Sequence, residues 1–168
     1  TYDRAGRLQA VTDPAGNTWT TTYDFLGRVM QSNDPDRGRT EFTYDEADRL
    51  ATSTDSRNAT LAYHYDTLGR VDGLFDGSTN GQKRAAWTYD TLAKGQPTAS
   101  TRWATDAAGA TAEYTTTVLG YNDAYQPTGS KVTIPAGEGK LAGTYTVSAT
   151  YLADGSPAVL RYPAAGDL

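Results

Sequence analysis

The sequence predicts an all-β fold, a long antiparallel β-meander, and three observations carry that prediction. A Tyr-Asp motif returns at a nearly constant interval, turn signals fall between its copies, and the residues between turns alternate in polarity. Self-similarity at a fixed period is typical of repeat architectures. The 17 glycines, 12 tyrosines and many threonines also suit strands and turns better than helices.

The repeat reads Tyr-Asp-x-x-Gly-Arg followed by Val or Leu, and its copies begin at Tyr2, Tyr23, Tyr44 and Tyr65, each 21 residues apart. A partial copy follows at Tyr89, and Gly120 to Pro127 is a degenerate one. We therefore predict regular repeats over residues 1–93 and degenerate repeats with longer loops over 94–168. Both parts should belong to one continuous β-ribbon. The residues to which we assign structural roles in the repeat are Tyr2, Asp3, Gly6, Arg7, Asp13, Gly16, Tyr23, Asp24, Gly27, Arg28, Tyr44, Asp45, Arg49, Tyr65, Asp66, Gly69, Arg70, Tyr89 and Asp90.

The turn signal is Asp-x-x-Gly, as in Asp24 to Gly27. An Asp side chain accepts a hydrogen bond from the backbone two residues on, and the glycine position requires a left-handed backbone. Asp48 and Asn58 stand where other copies have glycine, and Asn and Asp are the other residue types that tolerate this conformation. The pattern predicts a type I turn followed by a left-handed residue, which is a common way to close a hairpin.

Six or seven residues remain between turns, which is one strand each. The first six strands are predicted at Arg7–Thr12, Thr18–Tyr23, Arg28–Asn33, Arg39–Tyr44, Arg49–Thr54 and Thr60–Tyr65, of about fourteen in total. Strands that end at Tyr place aromatic residues on one face, and strands that follow Arg begin with Leu or Val, so an aromatic row and an aliphatic row should cross the ribbon. Residues 138–141 are too short a segment to predict a helix.

Composition excludes several functions. The formal charge of −5 argues against nucleic-acid binding, and the absence of cysteine excludes disulfides and thiolate chemistry. No apolar run is long enough to span a membrane, and no leader peptide is visible. The chain opens inside a repeat, so we expect a piece of a longer protein. Nothing in the sequence predicts a cofactor.

A meander this wide is expected to curl, because open sheets rarely exceed about ten strands and neighbouring strands rotate by roughly 20–25°. A propeller is the competing architecture, since two repeats approach the length of one blade. The near-identical turns favour the curled ribbon over blades, which alternate short and long connections.

The motif resembles the YD repeats of Rhs proteins, closely over residues 1–93 and weakly over 94–168. That group includes bacterial polymorphic toxins, toxin-complex components and teneurins. The resemblance implies a ribbon that forms part of a spiral shell around a C-terminal toxin domain. It implies as partners the remainder of the shell and the enclosed toxin, and a secreted or cell-surface location.

No residue set predicts catalysis or a resident metal. The only histidine, His64, lies between Tyr63 and Tyr65 without a nucleophile motif nearby. Oxygen-ligated Ca²⁺ at residues 34–36 or 76–80 is the alternative to solvated turns. Asp13-Pro14-Ala15-Gly16 is similar to the start of the Rhs self-cleavage motif, but Asn17 replaces its leucine and the site is an ordinary repeat turn, so we do not predict cleavage.

The leading hypothesis is therefore a structural wall segment of an Rhs shell, not an enzyme. Carbohydrate binding or adhesion is the alternative, with Trp19, Trp87 and Trp103 as exposed platforms on which glycans stack. A hydrolase that uses paired carboxylates is the third hypothesis. Unpaired end strands also predict self-association or docking of a partner at the sheet edges.

Overall fold

The computed structural model describes residues 1–163, so residues 164–168 of the degenerate half lie outside it. Thirteen β-strands and one short 3₁₀ helix follow one another along the chain. The strands are β1 (Ala10–Thr12), β2 (Thr18–Tyr23), β3 (Val29–Asp34), β4 (Gly38–Tyr44), β5 (Leu50–Thr54), β6 (Thr60–Tyr65), β7 (Val71–Asp76), β8 (Lys83–Tyr89), β9 (Pro97–Thr105), β10 (Thr111–Tyr121), β11 (Pro127–Ile134), β12 (Gly143–Tyr151) and β13 (Pro157–Arg161).

The strands occupy one sheet in the order of the sequence, β1 to β13. The predicted all-β antiparallel meander is confirmed. The chain divides into two compact units, one formed by Thr1–Tyr65 with Leu74–Gln82, the other by Asp66–Gly73 with the chain from Lys83 onward. No helix among the described residues is long and apolar enough to cross a membrane.

The predicted left-handed turn position is confirmed where the sequence departs from glycine. Gly6, Gly16 and Gly27 have φ of 78°, 89° and 86°, and Asp48 and Asn58 adopt φ of 62° and 61°. Asn and Asp reach this region more readily than other non-glycine residues. Glycine, aspartate and asparagine therefore adopt the same left-handed backbone conformation at this turn position.

Several predicted boundaries were wrong. Arg28 and Arg49, predicted as strand starts, lie in the turns, and their strands begin one residue later, at Val29 and Leu50, whereas Arg39 lies inside β4, which begins at Gly38. The first strand shrinks to Ala10–Thr12, with an isolated bridge between Tyr2 and Leu8 before it. A 3₁₀ helix that is interrupted at Gly139, whose φ of 59° is not helical, occupies Ala136–Leu141, where we had predicted no helix. Its i→i+3 bonds need few residues, so a glycine-flanked segment can form it.

A β-bulge follows the turns at Tyr23, Tyr44, Tyr89, Tyr121 and Tyr151, which the sequence did not reveal. Tyr23 pairs with Val29 but Thr22 pairs with Gln31, so Met30 is the extra residue. Pairing of Tyr44 with Leu50 repeats this arrangement. The predicted aromatic and aliphatic rows thus lie on one face as direct cross-strand pairs, which is the arrangement in which such side chains stabilise each other.

Very little of the described chain is fully buried. Ala62, at 2% exposure, is the one buried hydrophobic side chain among residues 1–163, and no polar side chain there is buried. The strand tyrosines and aliphatic residues are half-buried instead. The stability of each unit therefore depends strongly on hydrogen bonds and cross-strand contacts rather than on a closed hydrophobic core.

Candidate functional site

The motif aspartates organise their own turns. The Oδ1 atom of Asp24 accepts the backbone N–H of Leu26 and of Arg28, each at 2.9 Å. Its Oδ2 accepts Nε of Arg28 at 2.7 Å. Asp3, Asp45 and Asp66 make the same three kinds of bond with the residues of their own turns. One carboxylate thus satisfies the backbone of the turn and positions the arginine.

The positioned arginine lies over the tyrosine of the next copy. The guanidinium carbon of Arg28 lies 4.5 Å from the centre of the Tyr44 ring, and that of Arg49 lies 4.4 Å from the Tyr65 ring. The ring carries negative charge on its face, so a cation there is attracted. Arg7 over Tyr23 and Arg70 over Tyr89 repeat the contact.

The hydroxyl of the same tyrosine reaches back to the preceding repeat. Tyr44 donates to the carbonyl oxygen of Val29, and Tyr65 to that of Leu50, both at 2.8 Å. The donor and acceptor pairs of this kind are Tyr23 and Leu8, Tyr44 and Val29, Tyr65 and Leu50, Tyr89 and Val71, Tyr121 and Pro97, and Tyr151 and Pro127. Each acceptor is the first residue after the arginine position. We call the Asp and Arg of one turn, with the Tyr of the next copy, a clasp.

The arginine also contacts the next turn directly. Arg28 donates through Nη1 to Asp48 at 2.5 Å, and Arg70 donates to both carboxylate oxygens of Asp90. The clasp therefore joins consecutive repeats by a cation over a ring and a hydroxyl on a carbonyl, and at Arg7, Arg28 and Arg70 also by a guanidinium on the following turn. Sequence analysis had assigned these residues to single turns and had missed the connection. The 15-residue interval from acceptor to tyrosine in the first three pairs, as from Val29 to Tyr44, was the available signal.

The second unit contains a clasp without charges. Asn122 accepts the N–H groups of Ala124 and Gln126 at 3.0 and 2.9 Å, and its own amide donates to Oε1 of Gln126 at 2.9 Å. Gln126 then donates to the carbonyl oxygen of Gly155 in the next turn at 2.8 Å. Tyr151 completes the arrangement through its bond to Pro127. Asn122 and Gln126 thus take the places of Asp and Arg, and sequence reasoning had not singled them out.

The copy at Tyr89 differs from the others. Asp90 itself has a left-handed φ of 68°, and its carboxylate accepts the N–H of Gly95 instead of the usual residues two and four positions on. The connection to β9 is longer, with the backbone N–H of Asp90 bonded to the carbonyl of Gln96. The guanidinium of Arg70 lowers the pKa of Asp90 to about 2.

The other clasp carboxylates also have lowered pKa values. The backbone N–H of Arg7 is the main cause for Asp3, and that of Arg49 for Asp45. For Asp24, partial burial acts in the opposite direction, but the guanidinium and the backbone N–H of Arg28 outweigh it and the pKa is lowered. Hydrogen bonds and an adjacent cation favour the charged carboxylate in every case.

The three tryptophans are half-buried rather than fully exposed, and their role as glycan-stacking platforms stays a prediction. The indole N–H of Trp103 donates to Glu113 across the strand pair at 2.9 Å. The pKa of the Asp34 carboxyl is lowered chiefly by the backbone N–H groups of Arg37 and Asp36, and the indole of Trp19 adds to this effect. Cross-strand neighbours cover part of an aromatic residue on a β-sheet, even on an open face.

Two adjacent concavities lie on the aromatic face of the first unit. The larger, of about 610 Å³, is lined by polar residues around Phe42, including Asp34, Arg37, Asp55 and Arg57. The smaller, of about 340 Å³, is mainly apolar and also contacts Phe42. The arginines of the larger one pair with its own aspartates, at 3.8 Å for Arg37 and Asp34 and 2.6 Å for Arg57 and Asp55.

The remaining candidate positions are the acidic clusters, His64 and the Asp13 turn. Within residues 1–163, no three His, Cys, Asp or Glu side chains lie together as a metal site would require. His64 is exposed on β6. The Asp13 turn is an ordinary one, in which Asp13 accepts the N–H groups of Ala15 and Asn17 and the side-chain amide of Asn17.

Comparison with known proteins agrees with this geometry. The family model of the RHS repeat matches residues 2–40 and 26–60. No curated protein matches the chain in sequence. The crystal structure of TcdB2-TccC3 is similar over 96% of this chain, with 16% identity and a TM-score of 0.74. A Tc holotoxin pore of Photorhabdus luminescens that carries a substitution in TccC3 is similar over 95%, with 21% identity and a TM-score of 0.63.

An antiparallel meander whose successive copies are joined by a recurring tyrosine–carbonyl hydrogen bond defines a β-repeat protein. Residues 2–60 match the RHS repeat, and the chain shares the fold of the TcdB2-TccC3 structure over 96% of its length. It spans only 9% of the TcdB2-TccC3 chain and 10% of the chain from the holotoxin pore.

Proposed function

We propose that this chain is a wall segment of an Rhs shell that encloses a toxin payload. The single observation that supports it most strongly is the clasp. The charged and aromatic residues of the motif form contacts between consecutive repeats. Their role in this proposal is therefore to stabilise a continuous sheet. Repeated use of one charge at every turn is expected of a structural element, whereas a catalytic group departs from the repeat.

The similarity to TcdB2-TccC3 supports the fold of such a wall. Enclosure by a wall needs a wide surface rather than a binding pocket, and an antiparallel meander widens by one strand with every turn. The strong twist of neighbouring strands gives a wide ribbon the tendency to curl. The partners in this proposal are the remainder of the shell and the enclosed toxin domain, and the location is secreted.

Electron microscopy of the longer protein that carries this segment tests the proposal. We expect a hollow particle with β-walls in which these repeats form a continuous part. Limited proteolysis gives a second readout, because an enclosed payload is protected until the wall is opened. A particle without a cavity, or a payload digested as fast as the isolated toxin domain, contradicts the proposal.

Glycan binding is the second candidate, and the larger concavity around Phe42 is the observation that favours it. An aromatic ring beside serine and threonine hydroxyls and carboxylates is the chemistry that recognises a sugar. A glycan array followed by titration tests it, with Arg57→Ala as the variant in the concavity and Trp103→Phe as the control outside it. No bound glycan, or equal binding by Arg57→Ala, contradicts this candidate.

A further inference from the structure

The connection between β11 and β12 departs from the tight turns of the repeat. It runs over residues 135–142, and its 3₁₀ helix has no buried residue. The helix is interrupted at Gly139, and a Cβ added to this glycine would meet nothing within 4 Å. Lys140 is exposed, and the following Leu141 is 65% exposed. A basic residue therefore stands beside an uncovered bend of the backbone.

Tyrosine hydroxyls hold this connection against the sheet. Tyr114 on β10 donates to the carboxylate of Glu138, and Tyr145 on β12 donates to the carbonyl oxygen of Leu141 at 3.0 Å. Gly137 lies so close to the turn of Asp106 that an added Cβ would be 1.7 Å from the carboxylate oxygen Oδ2. The hydrogen bonds of a 3₁₀ helix have poor geometry, so loss of these contacts should let the segment open locally.

Lys94 offers a comparison within the same unit. It is also exposed and stands in the connection between β8 and β9. The N–H of the following Gly95 donates to the carboxylate of Asp90 at 2.6 Å, and Arg70 holds that carboxylate through two more bonds. The peptide bond after Lys94 is thus fixed in a charged turn, whereas the bond after Lys140 lies in a segment that opens more easily.

The position of this segment outside the strand pairing matters for proteolysis. A protease cuts a chain that is locally open, and exposed loops are the preferred sites of nicking. Pairing of β11 with β12 ends at Ile134 and Gly143, so residues 136–141 can open without breaking a bond of the ladder. Trypsin-type serine proteases carry a buried aspartate in the pocket that selects the residue before the cut, and this pocket accepts Lys or Arg.

We propose that a trypsin-type serine protease cuts this chain between Lys140 and Leu141, and that the sheet survives the cut. Water adds across the amide, so Lys140 gains a carboxylate and Leu141 an ammonium group. The bond from Tyr114 to Glu138 controls the rate, because it holds the segment closed. The proposal goes beyond the wall function and is independent of any enclosed payload.

The contacts across the cut explain why the two fragments stay together. Strands β11 and β12 lie on either side of it and remain paired with each other. The neutral clasp also joins the fragments, because Tyr151 donates to Pro127 and Gln126 donates to Gly155, both at 2.8 Å. A cut after Lys140 therefore removes the covalent link but leaves the hydrogen bonds of the antiparallel ladder in place.

Limited digestion of the full chain with trypsin, followed by intact-mass measurement, tests the proposal. We expect fragments 1–140 and 141–168 to appear first, ahead of any cut after Lys94. Lys140→Gln should remove this pair of fragments. In gel filtration the two fragments should elute together without denaturant and separate in urea.

Tyr114→Phe tests the control of the rate. The change removes the hydroxyl that bonds to Glu138 and keeps the ring beneath Arg102. Loss of one hydrogen bond should accelerate the cut after Lys140 roughly three- to tenfold, because cleavage follows the population of the open form when opening is fast. The cut after Lys94 in the same molecule is the control, and its rate should not change.

Several outcomes overturn the proposal. They are a first cut after another basic residue, an unchanged rate after Lys140 in Tyr114→Phe, and fragments that separate without denaturant. Equal acceleration of the cuts after Lys140 and Lys94 also contradicts it, because that result indicates general unfolding rather than release of one segment.

Discussion

The charged clasp of the first unit and the neutral clasp of the second perform one task with different chemistry. In the first, Asp24 holds Arg28, which reaches Asp48 and lies over Tyr44. In the second, Asn122 holds Gln126, which reaches the carbonyl of Gly155. Both keep the tyrosine hydroxyl 2.8 Å from its carbonyl acceptor.

The comparison teaches which features of the repeat are indispensable. Charge is not among them, because an amide pair replaces the ion pair with the same hydrogen-bond positions. The side-chain acceptor at the first turn position, the donor four residues later and the tyrosine hydroxyl are present in both. A surface ion pair contributes little on its own, so its replacement by amides is physically reasonable.

The largest expected effect on stability comes from a substitution at the left-handed turn position, which is glycine in the charged clasp and tyrosine in the neutral one. Gly27 has φ of 86°, and its added Cβ would meet only Arg7, at 3.4 Å, so the cost of a side chain there lies in the backbone. We expect Gly27→Val to lower the free energy of unfolding by about 2 kcal/mol, because a β-branched residue resists positive φ. Urea unfolding followed by circular dichroism measures it.

The neutral clasp offers the matched opposite change. Tyr125 sits at φ of 60° in the position of Gly27. Replacement by glycine removes that strain but adds freedom to the unfolded chain, so Tyr125→Gly should stabilise by roughly 0.5–1 kcal/mol. Destabilisation by Tyr125→Gly, or a neutral Gly27→Val, contradicts the equivalence of the turns.

The next effect concerns the hydrogen bond from a tyrosine hydroxyl to a carbonyl oxygen, which occurs in both kinds of clasp. Tyr65→Phe removes the bond to the carbonyl of Leu50 and keeps the ring beneath Arg49. We expect a loss of about 1 kcal/mol of unfolding free energy. Tyr63→Phe on the same strand is the control, because its hydroxyl makes only a long contact of 3.4 Å with Ser53. Equal losses in the two variants would show that the clasp hydroxyl has no special role.

Acid should distinguish the two clasps. The pKa of Asp24 in the folded chain is lowered from the ordinary 3.8, so its contribution to stability is present above that value and is lost as pH falls through the lower, folded one. For Asp90 that window runs from 3.8 down to about 2. Amide exchange at Arg28 should accelerate, relative to the reference rate for an unfolded chain at each pH, as pH falls below 3.8. Gln126 should show no such change, since its clasp has no group that titrates there.

The smallest effect is expected from exchange of one clasp for the other. Asp24→Asn with Arg28→Gln converts the charged clasp into the neutral one, and the described geometry of Asn122 and Gln126 predicts that the turn persists. Stability near neutral pH should change little, while the acid response of the Arg28 position should disappear. Exchange rates of the turn amides check both statements, and a turn that opens at neutral pH contradicts them.

Much of the fold was predictable because its determinants are local. A turn depends on four or five consecutive residues, so Asp13 to Gly16 and the left-handed Asp48 and Asn58 could be identified from the chain alone. The antiparallel pairing of the strands followed from the same spacing of the turns. The predicted first residues of the strands were less accurate, since the bulge that follows a turn depends on the pairing partner.

The sequence by itself determined the repeat, the turns, the antiparallel order and the absence of any conspicuous catalytic motif, because each depends on spacing along the chain. Only the tertiary structure decided that Arg28 contacts Tyr44 and Asp48, that the uncharged Gln126 bonds to Gly155 in the next turn, and that the tryptophans are half-buried. These contacts join residues from adjacent strands and turns. Pairing register sets their distances, and register belongs to the folded sheet rather than to any single segment.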